Sequence, residues 1–129
     1  MIDSSGSIGR SNWARLKRFL KAIVSKLDVS PSGTHVAAVA YSTNPEIVLL
    51  FSNRQSVDEV NKAFDGMRWQ RGFTFTDKAL LLADSDLFQT ENGMRRDVSK
   101  VKCLVLLINC LVREPLSLAL IRLNMCCTF

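Results

Sequence analysis

Histidine is nearly absent from this chain, cysteine is confined to its end, and no apolar run is long enough to cross a bilayer. The 129 residues hold one histidine, His35, and four cysteines, Cys103, Cys110, Cys126 and Cys127. His35 opens an apolar segment with no evident nucleophile near it, so histidine-assisted nucleophilic catalysis has no candidate, and the residue is expected at a strand end on the surface. The cysteines lack the paired spacing of a zinc site and define no disulfide framework. Cys126 and Cys127 are adjacent, and neighbouring cysteines rarely bridge each other, so a disulfide would join Cys103 or Cys110 to the tail. The redox compartment stays open. The longest apolar stretch, Cys103 to Val112, is broken by Asn109 and falls short of a membrane span. The N-terminus lacks the basic start, apolar run and cleavage site of a secretory signal, so the chain as written is expected to be soluble. Neither G-x-G-x-x-G nor G-x-x-x-x-G-K-[ST] occurs, which leaves a nucleotide-binding α/β enzyme as an alternative without support. No repeat or low-complexity segment is visible.

The length fits one domain with a real core but not two. Lysine and arginine number 17 against 12 acidic residues, a formal net charge of +5. Much of that excess lies on one expected helix, at Arg10, Arg15, Lys17, Arg18, Lys21 and Lys26, and such residues usually form a solvated face. With Arg68, Trp69 and Arg71 they nevertheless offer an alternative function, polyanion binding. On that alternative the ligand is a glycosaminoglycan or a nucleic acid, although no nucleic-acid partner is expected of the chain.

From Arg10 to Asp28, Trp13, Leu16, Leu20, Ile23 and Leu27 recur at steps of three and four, which predicts an amphipathic helix closed by Ser30-Pro-Ser-Gly33. Thr34 to Thr43 is an almost continuous apolar run, the pattern of a central strand covered on both faces. Asn44-Pro45 is too short for a crossover, so Glu46 to Phe51 must return as an antiparallel hairpin partner. Ser56 is the expected N-cap of a second helix, with Asp58 and Glu59 in its first turn and Val57, Val60 and Phe64 on one face, ending near Gly66. A loop over Met67 to Phe73 leads into a third helix from Thr74 to Ala83, and Gln89 to Asp97 is loop-like. Val101 to Ile108 reads as another buried strand. This order is that of an open α/β sheet with helices on both faces, in which ligands bind at the carboxyl ends of the strands.

Asp3, Ser5 and Ser7 stand at that edge, between a strand stub and the first helix. Alternate short side chains in a tight loop containing Gly6 can point at one centre, and carboxylate plus hydroxyl oxygens suit a hard cation such as Mg²⁺. An aspartate, serines and a glycine also make an ordinary loop and helix cap, so the segment alone leaves both readings open. A second hydroxyl loop, Gly72-Phe-Thr74-Phe-Thr76-Asp-Lys-Ala-Leu80, is expected on the same edge, where Thr74 alone would read as an N-cap.

Together these segments resemble the von Willebrand factor A domain, the family that includes integrin inserted domains and many matrix proteins of the collagen VI and matrilin type. DSSGSIG is similar to the family's metal-ion-dependent adhesion site, GFTFTDKAL to its G-G-T-x-T-x-x-A-L segment, and AVAYST with its hairpin to the second and third strands. The resemblance covers residues 1 to 108. It implies a Rossmann-like, mostly parallel sheet and no catalysis. It makes Asp3, Ser5, Ser7 and Thr74 the metal-coordinating positions, with Mg²⁺, or Mn²⁺ or Ca²⁺, as the ion. An acidic side chain of a protein partner, in the matrix or on a cell surface, would complete the metal shell, and the setting would be extracellular.

The sequence also departs from that pattern. The family's fourth strand ends in T-D-G, whereas here LVLLI is followed by Asn109-Cys110, and a thiol is a poor Mg²⁺ ligand. With one carboxylate instead of two, the ion is expected to be held weakly. Only Met1-Ile2 remains of the first strand, and the later strands are missing. Residues 109 to 129 therefore read as a divergent or aberrant tail on a partial domain, as a truncated gene model would give. Such a sheet is expected to expose apolar surface, with Leu116 to Met125 packing on it as a short helix or strand.

Overall fold

A computed structural model describes residues 1–100. The expected strand Val101 to Ile108, all four cysteines and the tail segment Leu116 to Met125 lie outside the described residues.

Three strands form one sheet in the order β1 (Ile2–Asp3), β2 (Ala38–Tyr41), β3 (Pro45–Leu49). β1 runs parallel to β2, pairing Ile2 with Ala40 and Asp3 with Tyr41. β3 returns antiparallel, pairing Tyr41 with Pro45 and Ala38 with Leu49, as the short Asn44-Pro45 turn requires. The register shifts between Ala38 and Val39, a bulge that places an extra β3 residue opposite β2. Pro45 is tolerated because it opens its strand, where a ladder donor is dispensable.

All four β2 residues are buried, and their alternation splits the core in two. Ala38 and Ala40 face one cluster with Ile2, Trp13, Leu16, Leu20, Val24, Val60 and Phe64. Val39 and Tyr41 face the other, with Ala79, Ala83 and Leu87. Helices α1 (Arg10–Val24) and α2 (Val57–Gly66) therefore cover one face, and α3 (Thr76–Leu82) covers the opposite one. This is the expected α/β arrangement, with the two alanines of β2 letting α1 and α2 sit close to the sheet.

The helix ends differ from expectation for local reasons. α1 stops at Val24 rather than Asp28: the N–H groups of Lys26 and Leu27 bond three residues back, to Ile23 and Val24, which tightens the chain out of the α-helix. Val24 is buried in the stripe that the periodicity extended to Leu27, and Leu27 is 38% exposed. α2 begins as expected: the Ser56 side chain accepts from the Glu59 N–H, and the Glu59 carboxylate accepts from the Ser56 N–H. α3 begins at Thr76 rather than Thr74, and Phe75 precedes it without a side-chain cap. It then widens into a π-helical turn, Ala83–Leu87.

The expected strand Thr34 to Thr43 shortens to its last portion. Ahead of it, a side chain supplies what a neighbouring strand would. The Gln55 amide accepts from the Val36 N–H at 2.6 Å and donates to the Val36 carbonyl at 2.6 Å and the Leu50 carbonyl at 3.2 Å. Gln55 is only 2% exposed, so this pairing replaces water on both backbone groups. His35 is partly buried and its Nε2 lies 3.2 Å from the Pro31 carbonyl, a turn contact rather than the free surface position expected for it.

Replacing Gln55 with alanine is therefore expected to destabilise the chain by about 1–3 kcal/mol, the cost of unpaired backbone groups, read as a shifted urea midpoint. A second expectation concerns Tyr41, the single tyrosine of the chain. Burial pushes its phenol above the ordinary value; a hydrogen bond from Thr76 opposes this and the negative charge of Asp3 adds to it. The fold thus holds the neutral phenol, and its contribution is full below about pH 10 and is lost as pH rises through the folded value. Absorbance titration should show the native phenolate appearing at higher pH than in urea, and Tyr41→Phe should show less alkaline destabilisation than the parent.

Candidate metal centre

The strand stub β1 delivers Asp3 to the carboxyl edge of the sheet beside Tyr41, and the chain then turns at once. The Ser5 N–H donates to Asp3 Oδ1 at 2.8 Å, an Asx-type turn that a short carboxylate can close. Ser5 Oγ lies 3.0 Å from Ser7 Oγ, either hydroxyl donating. Gly6–Ile8 forms a single 3-10 turn before α1 starts at Arg10. Three of the four expected metal positions are thus brought together by five residues of chain.

Burial within this group is uneven. Asp3 is 5% exposed and Ser5 1%, whereas Ser7 is exposed. Among the described residues, no lysine, arginine or histidine pairs with Asp3, and its Oδ2 has no hydrogen-bond partner. A buried carboxylate without a counter-ion is costly, and such groups are ordinarily paired or bound to a metal. The side-chain oxygens of this loop are a carboxylate and two hydroxyls, hard donors that would fit Mg²⁺, Mn²⁺ or Ca²⁺ better than a soft ion. No cluster of three or more His, Cys, Asp or Glu side chains suited to a metal occurs among the described residues, so hydroxyls would have to share the work.

Thr74 is exposed, and its hydroxyl makes no hydrogen bond to Asp3, Ser5 or Ser7. Its loop nevertheless docks against theirs. The Gly6 N–H donates to the Gly72 carbonyl at 3.0 Å and the Arg71 N–H to the Ser4 carbonyl at 3.0 Å. A Cβ on Gly72, whose φ is +85°, would meet Thr43 Oγ1 at 2.5 Å, so only glycine fits that approach. The Trp69 indole N–H donates to the Ser5 carbonyl at 2.9 Å. Cys110, expected from the resemblance to stand where the family has its second aspartate, lies outside the described residues.

Two further residues organise the site without having been singled out from the sequence. Ser4 is fully buried; its N–H donates to the Tyr41 carbonyl at 2.8 Å, and its hydroxyl proton is shared between that carbonyl, at 2.9 Å, and Gln70 Oε1, at 3.1 Å. Gln70 Oε1 also accepts from Ser42 at 2.9 Å, while its Nε2 donates to Glu46 at 3.1 Å. Because a carboxylate can only accept, Glu46 sets which end of the amide faces the serines. One glutamine thereby joins the loop that follows Asp3, the end of β2 and the start of β3. Its partners lie 66, 28 and 24 positions away, so no local pattern announces it.

Comparison with known proteins bears on the family and the fold. The chain is 29% identical over 106 residues to von Willebrand factor of Rattus norvegicus, covering 81% of this chain and 25% of that protein. It is 29% identical over 108 residues to the collagen alpha-5(VI) chain of Homo sapiens, covering 84% and 4%, and 32% identical over 101 residues to integrin alpha-X of Mus musculus, covering 78% and 8%. The chain thus spans about a quarter or less of these relatives. Among solved structures it resembles proximal thread matrix protein 1 from the mussel byssus, described with a zinc-occupied MIDAS motif. The TM-score is 0.68 at 18% identity, over 74% of this chain and 26% of that one, a likeness of fold. The sequence model of the von Willebrand factor type A domain matches residues 1–109, and the chain belongs to that family.

Proposed function

We propose that this chain is a divalent-cation-dependent protein-binding module in which Asp3, Ser5, Ser7 and Thr74 hold the ion. The observation that carries the proposal is the buried Asp3 carboxylate, without a counter-ion among the described residues, in a loop that also brings the Ser5 and Ser7 hydroxyls to 3.0 Å of each other. Asp3 supplies the charge and the serines neutral oxygens. Thr74 joins them from a loop already fixed to Gly6 and Ser4. An ion held this way has a coordination position for a partner's acidic side chain, and the contact is one of binding rather than catalysis. Mg²⁺ suits the donor set best, with Mn²⁺ and Ca²⁺ as alternatives.

The relatives support the setting as well as the chemistry. A collagen chain, an integrin and a byssal matrix protein all carry this domain, and we place the present module outside the cell, binding a matrix or cell-surface protein. On this reading the domain ends near residue 108, residues 109–129 are a divergent tail, and Cys110 in place of the second aspartate weakens the hold on the ion. No helix among the described residues is long and apolar enough to cross a membrane.

Calorimetric titration with Mg²⁺ tests the assignment. The parent chain should give a binding heat that Asp3→Ala loses. Identical null heats, together with melting that a chelator leaves unchanged, would overturn the metal site. Cys110→Asp should tighten binding roughly tenfold, since affinity in such sites follows the count of charged ligands. Gln70→Met, which keeps the side-chain volume and removes the three-loop amide, should weaken Mg²⁺ binding by roughly tenfold while leaving the far-ultraviolet circular dichroism unchanged.

A further inference from the structure

The segment between α2 and α3 carries an arginine that the metal site does not use. Arg71 has φ +60°, the left-handed region that a side chain enters at a cost, and it is the sole non-glycine residue in that region among those described. The strain is held by the Arg71 N–H bond to the Ser4 carbonyl and by Gly72, whose carbonyl accepts from Gly6. Its guanidinium lies 4.8 Å from the centre of the Trp69 ring, and the Trp69 indole donates to the Ser5 carbonyl. Both ends of Arg71 are therefore tied to the metal loop, the backbone through Ser4 and the side chain through Trp69.

That guanidinium is exposed and has no carboxylate partner among the described residues, where the single ion pair joins Lys21 to Asp65. Arg71 also lines an open cleft of about 380 Å³ with Ser42, Thr43, Asn44, Gln70 and Gly72. Glu46, the one acidic group on that wall, is engaged by the Gln70 amide. A planar cation resting on an aromatic face keeps its N–H fork free for a carboxylate, and holding it in place reduces the entropy lost on binding.

We infer that Arg71 is a second contact for the protein partner: it takes an acidic side chain a few residues along from the one that reaches the metal. The preferred ligand is then a segment with two spaced acidic residues, the first read by the ion and the second by a guanidinium braced on Trp69. This rests on the metal-dependent function proposed above.

The test uses fluorescein-labelled glycine-serine peptides with one glutamate, or with two glutamates separated by two to five residues, followed by anisotropy in Mg²⁺ at physiological salt. Arg71→Gly is the informative variant, because glycine adopts φ +60° freely and keeps the loop path. The best two-glutamate peptide should bind the parent roughly fivefold more tightly than the one-glutamate peptide, a gain within the range of an ordered ion pair. Arg71→Gly should erase that gain while leaving the chelator-sensitive binding of the one-glutamate peptide intact. A gain that survives in Arg71→Gly, or no gain with any spacing while the one-glutamate peptide still binds through Mg²⁺, would overturn the role of Arg71 alone. Loss of chelator sensitivity for every peptide would overturn the metal-dependent reading and this inference with it.

Discussion

The functional edge depends on holding three separate loops in register around a very short strand. β1 contributes two residues to the sheet, too few for ladder bonds alone to fix where Asp3 points. Ser4 extends the pairing by one more residue, giving both its N–H and its hydroxyl to the Tyr41 carbonyl. Gln70 then fastens that serine to Ser42 and Glu46. Because Ser4 is fully buried, water cannot readily replace its bonds to the Tyr41 carbonyl, and loosening them would release the residue that follows Asp3.

The same economy explains how an apolar framework supports a charged site. β2 is covered on both faces, with small alanines toward α1 and α2 and the larger Val39 and Tyr41 toward α3. Tyr41 carries the link between layers: its ring packs in the α3 cluster, its hydroxyl meets Thr76, and its carbonyl anchors Ser4. The start of α3 and the loop from Asp3 to Ser7 thus answer to one residue. The Phe75 N–H bond to the Ser42 carbonyl adds a backbone tie between the same two regions.

Sequence reasoning recovered the features whose causes are local. The helical spacing of Trp13, Leu16 and Leu20 and the Ser56 N-cap act within a few residues, and each stands where it was expected, while the apolar run ahead of Asn44 forms a strand over its later part. What escaped was long-range and polar. Gln55 bonds Val36 across 19 positions, and Gln70 reaches Ser4 across 66, through side chains that look like ordinary surface glutamines in the sequence. The over-extension of α1 to Asp28 arose because Leu27 keeps the apolar period while the backbone has already tightened. Placing Thr74 at a helix start failed for a related reason: Phe73 and Phe75 are held by Thr43 and Ser42, so the chain stays extended until Thr76.

The hydrogen bond from Trp69 to the Ser5 carbonyl has an optical consequence. Indole emission responds to what its N–H touches, and here it touches the backbone of the loop that would close on an ion. The other tryptophan, Trp13, sits in the α1 core at 6% exposure, and its indole has no hydrogen bond to that loop. A rearrangement of the loop from Asp3 to Ser7 that breaks this bond is therefore expected to change the emission of Trp69.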